Sequence, residues 1–114
     1  MRVAYNKLVR DQIPDIIAAA GSRPSTRVLD HASYQGALRS KLLEEAQEAE
    51  EAPDEQLASE LADVLEVLRA LATAHGMTWE DIELQARRKR AERGGFDRRI
   101  FLEHVDQVSR PMPG

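Results

Sequence analysis

Cysteine is absent from this chain, and aromatic residues, long apolar runs and net positive charge are all scarce. The lack of cysteine excludes a disulfide framework and thiolate metal sites, as is typical of a reducing cytosol. No apolar run approaches the roughly 18 residues that indicate a membrane span. The formal charge of -4 argues against a general attraction to nucleic acid or to anionic membranes. We therefore expect a soluble, cytoplasmic protein.

Leucine and alanine dominate the apolar residues that are present. A chain of 114 residues is the size of one domain, and we assign residues 1–114 to a single domain. With so few aromatic rings, the expected core is one of packed helices. The predicted fold class is all-α, an antiparallel helical bundle completed by oligomerisation as a homodimer or tetramer. Short extended segments are expected at the N- and C-terminal ends.

Turn and capping residues divide the chain into helical segments. Pro14 suits the first turn of a short helix that Asp11 or Asn6 could cap and that Gly21 would end. Asp30 is expected to cap a long helix from about residue 31 to residue 51.

Pro53 separates that helix from a second long one, which runs from about residue 54 to residue 75 and ends at Gly76. Thr78 and Asp81 resemble a capping pair for a further helix that ends at Gly94. Phe96–Val105 could form a short strand, and the tail with its prolines at positions 111 and 113 is expected to be loose. The leucine-rich face of the second long helix is predicted to be buried: Leu57, Leu61, Val64, Leu65, Leu68 and Leu71.

Four carboxylates mirror one another about Asp54, beside the break at Pro53. If the two long helices fold back on each other, residue 45 lies opposite residue 63 and residue 48 lies opposite residue 60. The helical periodicity turns both pairs toward the partner helix. The four groups are Glu45, Glu48, Glu60 and Asp63.

Acidic residues on a helix usually form a face exposed to solvent, which is the alternative to a metal site here. Two like charges about 4 Å apart repel by about 4 kcal/mol at an effective dielectric constant near 20. Lys41, one turn before Glu45, could neutralise part of the cluster, but one lysine cannot balance four carboxylates. Oxygen-only ligands favour a hard divalent cation, Mg²⁺ with Mn²⁺ as a substitute.

The acidic pair and two further segments, one on either side of it, indicate a family. The string EEAQE at Glu44–Glu48 followed by ELAD at Glu60–Asp63 resembles the signature of the MazG-like all-α nucleoside triphosphate pyrophosphohydrolases. YNKLVRDQIP at Tyr5–Pro14 and KRAERGGFDRRIFLE at Lys89–Glu103 resemble the opening and closing segments of a small house-cleaning, phosphoribosyl-ATP pyrophosphohydrolase-like branch. The resemblance implies a helical oligomer that cleaves a nucleotide between its α and β phosphorus atoms, giving a nucleoside monophosphate and pyrophosphate.

Roles for individual residues follow from the acidic pattern and this resemblance. The four mirrored carboxylates would hold Mg²⁺, and Glu44 would accept a proton from water or orient it, with a surface salt bridge as an equal alternative. Arg10 could instead pair with Asp11, and Phe96 could be a buried ring in a turn. The residues expected to contact substrate are Lys7, Arg10, Lys41, Lys89, Arg93 and Phe96.

Two other functions stay open at this point. One is phosphoribosyl-ATP pyrophosphohydrolase activity in histidine biosynthesis, which would use the same acidic cluster. The other is a non-catalytic helical oligomerisation or regulatory module, in which the acids only keep a bundle soluble. Nucleic-acid binding is a distant third, because the basic run Arg87–Arg90 is short and has acidic neighbours.

Overall fold

The computed structural model describes residues 1–106, which contain four α-helices and no β-strand. In chain order they are α1 (Ile13–Ala19), α2 (His31–Glu51), α3 (Asp54–Ala74) and α4 (Trp79–Arg93). The predicted all-α class is confirmed. Phe96–Val105, for which a short strand was considered, forms none. The C-terminal tail, expected to be loose, lies outside the described residues.

The boundaries of α2 and α3 follow from the residues predicted to set them. The side chain of Asp30 accepts a hydrogen bond from the backbone N–H of Ser33 at 2.8 Å, which caps α2. Pro53 is the N-cap of α3. Gly76 has φ +72, and the N–H of Met77 donates to the carbonyl of Ala72 at 2.8 Å, so the left-handed stop closes α3 as expected.

The shorter helices agree with the predictions in part. Pro14 lies in the first turn of α1, but the N-cap is Gln12 without a side-chain hydrogen bond. The expectation that Asp11 or Asn6 caps α1 is therefore wrong. At α4, the N–H of Thr78 donates to the carboxylate of Asp81 at 2.8 Å, and the N–H of Asp81 donates to the Thr78 hydroxyl at 3.1 Å. This reciprocal arrangement confirms the predicted capping pair.

Helices α2 and α3 form an antiparallel hairpin and are the only helix pair that packs together in the described part of the chain. The buried core is small, since only Leu38, Val67 and Ala72 are buried apolar residues there. The predicted buried face of α3 is therefore wrong in part. Four leucines of that face are exposed, because one partner helix covers less than the whole apolar stripe: Leu57, Leu61, Leu65 and Leu68.

The chain divides into two compact units, Met1–Ile82 and Glu83–Gly114. The first contains α1, the α2/α3 hairpin and the start of α4. The second contains the rest of α4 and the segment that follows it. Among the described helices, none is both long enough and apolar enough to cross a membrane.

Candidate metal centre

Five carboxylates converge on the α2/α3 hairpin. Glu44, Glu45 and Glu48 of α2 each offer an oxygen, and these three oxygens lie within 4.8 Å of one another. Glu45 also belongs to a second group with Glu60 and Asp63 of α3, whose oxygens meet the same limit. We call these groups the α2 triad and the shared triad. Each could hold a metal ion, and Glu45 would be common to both.

The short turn at Pro53 explains why acids distant in sequence meet. Residues at equal separations on either side of the turn come level when α3 folds back on α2, as the mirror symmetry predicted. The proximity of Glu45 to Asp63 is confirmed by the shared triad. Glu48 lies near enough to Glu60 for the charge of Glu60 to act on it.

Glu45 is the buried acid of the cluster, with 7% of its surface exposed. Its Oε1 lies 3.2 Å from the Nζ of Lys41. The Oε2 atoms of Glu45 and Glu60 are buried and accept no hydrogen bond from residues 1–106. Buried carboxylate oxygens without a donor are costly, so they are the atoms that a cation would stabilise. The donor set fits an oxygen-preferring divalent ion.

Three basic side chains neutralise part of the cluster. Lys41 Nζ lies 3.4 Å from Glu44 Oε1 in addition to its contact with Glu45. Lys7 Nζ lies 3.3 Å from the same Glu44 oxygen, and Arg10 donates to Asp63 Oδ1 at 2.7 Å. These are three of the residues predicted to contact substrate, and here they contact the acids.

Lys41 is bound more firmly than the other two cations because it is largely buried on the same helix as its partners. Burial alone would lower its pKa. The hydrogen bond to Glu45 and the charges of Glu44 and Glu45 outweigh burial and raise the pKa of Lys41. It therefore stays charged and acts as a fixed counter-ion within the cluster.

The environment of Glu44 bears on its predicted role in catalysis. Partial burial would raise the pKa of Glu44, but the hydrogen bond from Lys7 and the charges of Lys41 and Lys7 lower it. A lowered pKa keeps the carboxylate ionised and makes it a weaker proton acceptor. These partners favour the second role predicted for Glu44, that of orienting a water molecule, which stays a prediction.

Glu48 is exposed and has the opposite electrostatics. A hydrogen bond shared with Glu45 and the charge of Glu45 raise the pKa of Glu48, and the charges of Glu60 and Glu44 add to the effect. Unlike Glu44, Glu48 has no cation beside it in the described chain to offset this repulsion.

The remaining predicted substrate contacts lie in the second unit. Arg93 and Phe96 line a hollow of about 280 Å³ formed by residues 93–100. The ring of Phe96 is exposed, so the alternative of a buried ring in a turn is wrong. Lys89 is exposed on α4. That these residues contact substrate stays a prediction.

Sequence reasoning missed the partners of the N-terminal cations. Arg10 pairs with Asp63, 53 positions away, whereas a pair with its neighbour Asp11 was the alternative considered. Lys7 pairs with Glu44, 37 positions away. No local pattern encodes contacts of this range, which depend on how residues 1–12 return to the hairpin.

Comparison of this chain with protein-family models, curated proteins and solved structures gives no match. The resemblance of its motifs to the MazG-like enzymes therefore stays a prediction.

Proposed function

We propose that the protein is a Mg²⁺-dependent nucleotide pyrophosphohydrolase acting in the cytoplasm. It would hydrolyse a nucleoside triphosphate between the α and β phosphates to a nucleoside monophosphate and pyrophosphate. The observation that supports this proposal best is Glu45, a buried carboxylate common to both triads, one oxygen of which has no donor in the described chain.

The acidic residues would hold the ion, and the ion would neutralise phosphate oxygens and acidify a water molecule. Glu45, Glu60 and Asp63 supply ligands from both helices, so the hairpin fixes their separation. Glu48 adds a fourth ligand from the exposed side. Glu44, kept ionised by the neighbouring Lys41, orients the attacking water.

The substrate that we favour is a noncanonical or damaged nucleoside triphosphate. The opening and closing motifs support this choice through their resemblance to the house-cleaning branch. Lys89, Arg93 and Phe96 would then contact phosphates and base. Phosphoribosyl-ATP is the alternative substrate, and a panel of nucleotides scored by pyrophosphate release distinguishes the two. Turnover confined to phosphoribosyl-ATP would overturn the preference.

The exposed leucines of α3 support the oligomeric part of the proposal. An apolar stripe of this kind is stabilised when a second chain covers it, as in a homodimer or tetramer. The same stripe would serve a non-catalytic oligomerisation module. Only the acidic cluster distinguishes the enzyme from the non-catalytic module, because such a module does not need Mg²⁺.

The proposal is tested by measuring pyrophosphate release with Mg²⁺ in the parent, in Glu45→Gln and in the control Glu50→Gln. Glu50 is an exposed acid of α2 outside both triads, so its substitution removes the same charge. We expect Glu45→Gln to lower turnover by at least about 100-fold, the scale for losing a group that stabilises transition-state charge, and Glu50→Gln to keep it. Equal turnover by Glu45→Gln and the parent would contradict the assigned site.

A further inference from the structure

The N-terminal arm, residues 1–12, places one cation on each triad. Arg10 contacts Asp63 of the shared triad, and Lys7 contacts Glu44 of the α2 triad. We propose that this arm is a cationic latch, which competes with divalent metal for the carboxylates and is released when metal binds. The inference rests on the metal centre of the proposed function.

Competition follows from the atoms involved. Asp63 Oδ1 accepts a hydrogen bond from Arg10 at 2.7 Å, so one of its oxygens is engaged by the guanidinium. Glu44 Oε1 is shared by the ammonium groups of Lys7 and Lys41. A hard cation would draw on the lone pairs of the same carboxylates, and its charge would repel a positive side chain held beside them. Seating of the arm therefore opposes metal binding.

The two arm contacts are suited to release because they are exposed. The Arg10 side chain is 56% exposed and that of Lys7 is 41% exposed. Ion pairs in water contribute little free energy, typically about 0–1 kcal/mol, so a divalent ion can displace them. Lys41 differs, since its side chain is 15% exposed and its partners lie one turn away on its own helix. It stays in place whether or not the arm is seated.

The arm itself has little to hold it apart from these pairs. Residues 1–12 carry no helix or strand, and α1 does not pack against α2 or α3. Leu8 and Val9 are half-buried and provide the remaining anchorage. Asn6 has φ +48, a left-handed conformation that asparagine tolerates, and it bends the chain immediately before Lys7.

The charges also favour release when metal is present. The five carboxylates and the three cations leave two negative charges when the arm is seated. Without the arm, four negative charges remain, which strengthens the attraction for divalent ions. Once released, Lys7 and Arg10 are free to bind phosphate, which accounts for their predicted role as substrate contacts. The arm would thus give its cations to the nucleotide only at a metal-loaded site.

Isothermal titration of the full chain with MgCl2 alone tests the latch. The variants are Arg10→Gln and Lys7→Gln, and Arg2→Gln is the control because it removes a positive charge from the same arm away from both pairs. We expect each latch variant to bind Mg²⁺ about two- to fivefold more tightly than the parent, the range given by the loss of one exposed ion pair. Arg2→Gln should bind as the parent does.

Trypsin provides a second readout that does not depend on activity. It cleaves after Lys7 and Arg10, and we expect cleavage at both sites to be slower while their side chains are held by the acids. In the parent, MgCl2 should increase the rate of these two cleavages, measured by mass spectrometry. In Glu45→Gln, MgCl2 should leave the rate unchanged, because the ion that displaces the arm no longer binds.

The outcomes separate this inference from the proposed function. If the parent binds Mg²⁺ but Arg10→Gln and Lys7→Gln, each with parental helix content by circular dichroism, bind it equally or less tightly, the latch is wrong and the metal centre stands. If one of them misfolds, the other decides. If the parent shows no saturable Mg²⁺ binding, both the latch and the metal centre are wrong.

Discussion

Glu45 is a carboxylate held almost wholly out of water, which only nearby positive charge makes tolerable. Lys41 supplies that charge at one of its oxygens, and the other oxygen is left without a donor in the described chain. If this position served folding alone, an apolar side chain of similar size would stabilise the folded protein better. The burial of Glu45 is therefore what we expect if the proposed site gives up stability for cation binding.

Substitution of Glu48 tests whether the cluster gives up stability for cation binding. Glu48 lies among other acids and has no cation beside it in the described chain. We expect Glu48→Gln to raise the melting temperature slightly in the absence of metal, since the substitution removes repulsion with Glu45. The same variant should lose most of its Mg²⁺ affinity. Differential scanning calorimetry with and without MgCl2 measures both effects, with Glu50→Gln as the control. A lower melting temperature without metal would argue against a repulsive cluster.

Asp63→Asn should behave differently, although Asp63 belongs to the same cluster. Its carboxylate pairs with Arg10, so the substitution removes an attraction together with the repulsion. We expect a melting temperature without metal below that of Glu48→Gln, by the equivalent of about 0–1 kcal/mol. If the two variants were equally stabilised in calorimetry, the Arg10 contact would contribute nothing.

The N-cap residue Asp30 makes the stability of α2 sensitive to acid. The hydrogen bond from the backbone of Ser33 lowers the pKa of Asp30 below its ordinary value of 3.8. A carboxyl group with a lowered pKa in the folded state stabilises the protein fully above its unfolded pKa, and this stability is lost as the pH falls through the folded pKa. The contribution of Asp30 should therefore decline below about pH 3.8.

Asp30→Asn removes this pH dependence while keeping a good N-cap. We expect the variant to match the parent near neutral pH and to lose less stability in the acid range. Urea unfolding between pH 3 and pH 7, followed by circular dichroism, makes the comparison. If the free energy of unfolding fell equally in the two proteins as the pH is lowered, Asp30 would not titrate as described.

The hairpin depends on very few buried apolar side chains, of which Leu38 is one. Leu38→Ala leaves a cavity between α2 and α3 and should lower the free energy of unfolding by about 2–5 kcal/mol. Leu43 lies on the same helix but is exposed, so Leu43→Ala should change the free energy of unfolding by less than about 0.5 kcal/mol. Urea denaturation of both variants tests the assigned faces. Similar losses in the two variants would mean that the faces of α2 are misassigned.

These helices were predictable because their signals are local. Asp30, Pro53 and Gly76 act within one turn of the chain, and each sets the boundary that the sequence indicated. The convergence of Glu45 with Asp63 was also predictable, since a short turn makes the pairing symmetric. The Arg10 and Lys7 pairs were not, because a long non-helical arm can return to a hairpin in many ways.

The exposed leucines of α3 show where prediction from helical periodicity fails. The pattern identifies an apolar face, but it cannot say whether the same chain covers it. We expect the parent to sediment as a dimer or tetramer, and Leu61→Glu to shift it toward monomer, since a charge would then lie in the apolar stripe. Val28→Glu, a change at an exposed loop residue, is the control. A monomeric parent in analytical ultracentrifugation would contradict the oligomer.

The proposed function depends on a divalent cation bound between α2 and α3. Crystals soaked in MnCl2 and measured for the anomalous signal of manganese would show the ion itself. We predict a peak among the carboxylates of Glu45, Glu60 and Asp63, about 2.0–2.2 Å from at least two of their oxygens, and no such peak in crystals of Glu45→Gln. Crystals without a peak at these carboxylates, in which Asp63 still pairs with Arg10, would contradict the proposed metal centre.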